Sequence, residues 1–86
     1  MYNWHMDRQG AEIIYNHIVK NVGERYFDVL YDNGIHYGMG ITVAIAEAML
    51  VHFEAIENYD RCIDIAGCIK EAEDIGGKYV FLHEEY

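Results

Sequence analysis

Eighty-six residues are enough for one domain with a single modest core, spanning 1–86, and too few for two. The chain is 52% hydrophobic and lacks proline, which excludes a disordered linker, and no apolar run nears the roughly 18 residues of a membrane span. Fifteen acids against six bases give a net charge of −9, with ten of the acids and three of the bases in residues 41–86; that field repels nucleic acid and anionic lipid and attracts basic surfaces.

In chain order, Asp7 is placed to cap a helix over about 8 to 22, with Ala11, Ile14, Tyr15, Ile18 and Val22 at helical spacing and Gly23 as its stop. "YFDVLYDNGIHYGMG" reads as a β-hairpin, because Asn33-Gly34 suits a tight two-residue turn in which both residues take positive φ. That turn would pair Asp32 with Ile35 and Leu30 with Tyr37. The competing reading is a short helix ending at Gly34.

Residues 42–57 form the predicted central helix, apolar at Val43, Ala46, Met49, Leu50, Phe53 and Ile56, with Glu47, Glu54 and Glu57 on one narrow stripe. So apolar a helix has more surface to hide than one neighbouring layer covers, which suggests self-association. "ENYD" (57–60) breaks or bends the chain. A further helix follows, capped by Asp60 and ended by Gly76-Gly77, and "KYVFLH" (78–83) reads as a closing strand. The expected fold class is α+β in the order α-β-β-α-α-β, with an antiparallel hairpin and a C-terminal strand packed on helices.

Residue types exclude several chemistries. Cys62 and Cys68 lie six apart, about 240° around a helix, so they do not face one ion, and no metal site is expected. Cys62 falls on an apolar stripe with Ile65, Ala66, Ile69 and Ala72, a core position. Serine is absent, Thr42 is the sole threonine, and the five histidines sit in no signature with a nucleophile. "GMG" (38–40) is too short to cradle a phosphate. The expectation is a non-enzyme with no catalytic residues and no cofactor. A small enzyme or ligand-binding module built on His36, Tyr37 and Cys68 is the lesser alternative. The start, "MYNWHMDRQG", lacks the basic and apolar regions of a signal peptide, so a reducing cytoplasm with unbridged thiols is expected.

The acids are ordered. Measured from Asp60 at about 100° per residue, Asp64 lies at about 40°, Glu71 at about 20° and Asp74 at about −40°. They share one helix edge, with Gly67 between them and Lys70 and Arg61 off it. A solvated face ordinarily mixes lysine with glutamate; here the bases are missing. The eight tyrosines add amphipathic contact area, with Tyr59 best placed beside the row. The candidate partner-binding residues are therefore Glu47, Glu54, Glu57, Tyr59, Asp60, Asp64, Glu71 and Asp74.

In size, acidity and aromatic content the chain resembles the small inhibitors encoded by phages and mobile elements, the anti-CRISPR and anti-restriction proteins. Such proteins commonly occupy the nucleic-acid-binding surface of a host defence protein, which implies a basic protein partner and action in the host cytoplasm. The alternative is a structural or regulatory homodimer without nucleic-acid mimicry.

Overall fold

Gly23, at φ +95°, ends helix α1 (Arg8–Asn21) where its position predicts. The computed structural model describes residues 8–33 and 40–82. Among the described residues, helices α1, α2 (Arg25–Asn33), α3 (Val43–Ala55) and α4 (Tyr59–Asp74) accompany two short strands, β1 (Ile41–Thr42) and β2 (Tyr79–Val80). The strands pair antiparallel, Ile41 with Val80 and Thr42 with Tyr79. The result is a mostly helical α+β domain, and its order departs from expectation at residues 25–42.

The hairpin is corrected: its first arm is helix α2. Phe27, Leu30 and Tyr31, spaced as i, i+3 and i+4, turn to one face, where Phe27 and Leu30 are buried. Val29, which a strand would place beside Phe27 and Tyr31, is 53% exposed. Helical spacing also brings Asp28 and Asp32 close enough for a single guanidinium, Arg61, to reach both. Asn33 closes the helix, while Gly34 and the predicted second arm lie outside the described residues, as does the predicted cap Asp7.

Helix α3 is the hub. Thr42 caps it, its Oγ1 accepting the Ile45 N–H at 3.3 Å. Val43, Ala46, Ala48, Met49, His52 and Phe53 are all buried, more than one stripe can account for. Two layers of the same chain cover them, α1 on one side and α4 on the other. Phe27, Tyr15 and His52 form a triangle of rings, Phe27 stacking on Tyr15 at 5.5 Å and lying tilted to His52 at 5.3 Å, with Tyr15 and His52 5.6 Å apart, and His52 meets Phe53 edge-on at 4.8 Å. The His52 ring lies 3.4 Å from the Tyr15 hydroxyl through Nδ1, while Nε2 is buried without a hydrogen-bond partner.

Helices α3 and α4 end in the same way. After α3, the Asn58 N–H reaches Phe53 O at 2.8 Å and the Glu57 N–H reaches Glu54 O at 3.0 Å, with Glu57 at φ +61°. After α4, the Gly77 N–H reaches Ala72 O at 2.8 Å and the Gly76 N–H reaches Glu73 O at 3.1 Å, with Gly76 at φ +68°. Both are Schellman closures, which place one residue in the left-handed region. Glycine occupies it at Gly76; at Glu57 a side chain bears the strain.

That closure also moves the start of α4. The cap is Asn58, whose side chain accepts the Arg61 N–H at 3.4 Å, and the predicted cap Asp60 lies inside the first turn. Its carboxylate there still faces the positive end of the helix dipole. The buried face is rotated by about 50° from the predicted stripe: Ile65, Cys68, Ile69 and Ala72 are buried, Cys62 is half-buried and Ala66 is exposed. The predicted strand 78–83 shrinks to Tyr79–Val80, although inward Val80 and Leu82 alternate with outward Tyr79 and Phe81. His83 lies outside the described residues.

The paired closures predict opposite responses to mutation. Glu57→Gly should raise the unfolding free energy by about 1 kcal/mol, and Gly76→Ala should lower it by a similar amount, in urea titrations followed by circular dichroism.

Candidate partner-binding surface

The surface is set by how α4 is clamped to α2. Arg61 Nη1 donates to Asp28 Oδ1 at 2.7 Å, and Nη2 lies 3.4 Å from Asp32 Oδ1. The same guanidinium covers the Tyr31 ring at 4.6 Å and the Phe53 ring at 5.0 Å. Planar stacking together with forked hydrogen bonding is arginine chemistry that lysine does not reproduce. Arg61 thus spends its charge on the carboxylates of α2 and leaves those of its own helix.

Next to it, the Tyr31 hydroxyl donates to Asp64 Oδ2 at 2.5 Å. Burial, the hydrogen bond to Asp64 and the charge of that carboxylate push the Tyr31 hydroxyl well above the ordinary tyrosine range; Arg61 opposes the shift without cancelling it. Burial and the charge of Glu54 likewise raise the Cys62 thiol.

Of the predicted row on α4, Asp60, Glu71 and Asp74 are exposed and Asp64 is half-buried against Tyr31. Lys70 approaches Asp74 at 4.0 Å on a solvent-exposed turn, a contact worth little. Tyr59 is 57% exposed in the first turn beside Asp60. On α3, Glu47 is half-buried and Glu54 is exposed, whereas Glu57 has left the helix for the left-handed link.

The two rows do not merge. Glu47 and Leu50 of α3 meet Ala66, Ile69, Lys70 and Glu73 of α4 around an open recess of about 380 Å³. Asp64 and Glu71 line a different recess of about 270 Å³ with Ile63, Gly67 and Cys68. On the helical wheel of α4, Ala66 and Glu73 lie on one flank and Asp64 and Glu71 on the other, so its outward face separates the rows.

Sequence reasoning missed the apolar part of this surface. A smaller recess of about 60 Å³ shares Cys68 and Glu71 with the second and continues over Ala72, Ile75, Tyr79 and Phe81. Ile63, Ile75, Tyr79 and Phe81 are each more than half exposed. Ile63 could have been noticed, because it stands apart from the apolar stripe of α4; Tyr79 and Phe81 needed the strand pairing. Among the described residues, the walls of both recesses carry carboxylates and no basic side chain. Among the described residues, no group of His, Cys, Asp and Glu could hold a metal, neither cysteine forms a disulfide, and no helix is long and apolar enough to cross a membrane.

The raised Tyr31 hydroxyl fixes a pH response. The folded chain keeps that proton at a pH where the unfolded chain has lost it, so this contribution is complete below about pH 10 and declines above it. Tyr31→Phe should cost about 2 kcal/mol at neutral pH through the lost bond to Asp64. It should also flatten the loss of stability between neutral and strongly alkaline pH in chemical denaturation. No protein-family model matches the chain, and no curated protein or solved structure matches it either, so charge and geometry carry the functional reading.

Proposed function

We propose that this chain is a non-enzymatic inhibitor that docks on the nucleic-acid-binding surface of a host defence protein, in the manner of anti-CRISPR and anti-restriction proteins. The observation that carries the reading is the α4 flank of Asp60, Asp64, Glu71 and Asp74, beside exposed apolar side chains, where Arg61 is bonded to α2 and Lys70 reaches only Asp74, through an exposed 4.0 Å contact. Asp60 to Asp74 spans about 21 Å of helix axis, with a carboxylate about every 7 Å on average, a linear array of negative charge about half as dense along its axis as one nucleic-acid strand. Charge of this kind governs encounter rate and orientation, while desolvated aromatic and aliphatic contacts set residence time. Tyr59 at one end and Ile75 at the other are positioned to supply such contacts.

The homodimer reading draws less support. Most of the apolar surface of α3 that suggested it is covered by α1 and α4, although Ile56 stays exposed, and the first arm of the proposed hairpin is helical. A two-fold interface through the α4 flank would set carboxylate against carboxylate.

Cleavage assays with RNA-guided nucleases and restriction endonucleases, with and without the protein, test the proposal. Inhibition of at least one enzyme is expected, relieved by excess nucleic acid and weakened steeply by salt. Asp60→Lys with Glu71→Lys should abolish it, and the equal charge change Glu12→Lys with Glu24→Lys on the α1 side should not. Equal loss in both variants would leave net charge, and not this flank, as the cause.

A further inference from the structure

Gly67 stands in the middle of α4, where glycine costs a helix about 1 kcal/mol relative to alanine. Nothing in its own fold asks for that glycine: the residue is exposed, and a Cβ built on it meets no atom within 4 Å. It forms the floor of the recess between Asp64 and Glu71, and Ile63 rises beside it at 72% exposure. A bare backbone on an outward helix face allows another helix to approach closely.

Resting on the docking reading above, we propose that this recess seats one amphipathic basic helix of the partner, with two cations meeting Asp64 and Glu71 and an apolar side chain between them over Gly67. The spacing selects a helix. Asp64 and Glu71 are seven residues apart, about 10.5 Å along the axis, which matches residues i and i+7 on a second helix packed nearly parallel or antiparallel. Same-face residues of an extended strand repeat at about 6.8 and 13.6 Å and miss that interval. The residue at i+4 of the incoming helix falls between the two cations and opposite Gly67. One turn further on, its next apolar position meets the recess walled by Ile75 and Phe81. Charge complementarity fixes the sign, since both carboxylates line the recess and no base does. Asp64 already accepts the Tyr31 hydroxyl through Oδ2, and a carboxylate retains acceptor capacity beyond one such bond.

The test uses the full chain and a synthetic helical peptide carrying two lysines seven residues apart and a leucine four residues after the first. A second peptide replaces the leucine by alanine. Titration at low salt, followed by amide shifts, should show the leucine peptide binding at least tenfold more tightly, with shifts at Ile63, Gly67, Cys68, Glu71 and Ile75. Gly67→Gln should melt at a higher temperature than the parent, because glycine has left a helix interior, yet bind the leucine peptide at least tenfold more weakly. A merely structural glycine would show no such opposition. Equal affinity for the two peptides, unchanged binding by Gly67→Gln, or shifts confined to Glu47 and Glu54 would overturn the helix-seat proposal and leave charge-driven docking standing. Binding of neither peptide would remove both.

Discussion

The structure depends on hiding helix α3. A thirteen-residue helix buried at Val43, Ala46, Ala48, Met49, His52 and Phe53 keeps only a thin polar edge for water, the half-buried Glu47 and the exposed Glu54. A helix that apolar is stable in solution once it is surrounded. The chain supplies α1 on one side and α4 on the other, so a need that could have been met by a second copy is met internally. The position of α4 follows from that task, and the surface it turns outward is a by-product of the face it turns inward.

The second constraint is Arg61. Its bonds to Asp28 and Asp32 and its stacking on Tyr31 and Phe53 join α2, α3 and α4 at one point. Because the guanidinium is only partly exposed, its 2.7 Å bond to Asp28 is less screened than an ordinary surface pair, whereas Asp32 lies out in solvent. The same clamp draws Asp64 under the Tyr31 hydroxyl and sets the inward face of α4 at Cys68 rather than Cys62. Stability and surface charge are therefore coupled: of the two cations on α4, Arg61 is engaged by α2, which leaves Lys70 to face the helix's own carboxylates.

Much of this was legible in the residue order. Gly23 and Gly76 mark helix ends because the left-handed region favours glycine, and the apolar period located α1, α3 and α4. The acidic edge of α4 was readable as angles alone. Helix α2 was not, since Asn33-Gly34 suits a hairpin turn and a helix end equally, and the deciding contact comes from Arg61, far along the chain. The cap at Asn58 was hidden because Glu57 takes a conformation for which its residue type gives no signal. Ile63 stands off the apolar stripe of α4, but Ile75, Tyr79 and Phe81 look like core residues in composition, and packing alone reveals that they stay outside.

The β1–β2 ladder has a consequence of its own. It is a two-rung clip joining segments on either side of the α3–α4 pair, so its closure costs loop entropy that the neighbouring helices do not incur. That cost is offset by burial, since Ile41, Val80 and Leu82 beside it belong to the core. Tyr79 belongs to it and Phe81 follows directly, so that wall of the smaller recess is held in place through the clip. A bound guest touching both α4 and this wall would brace the clip from outside, and its arrival would register as slowed amide exchange at Ile41 and Val80.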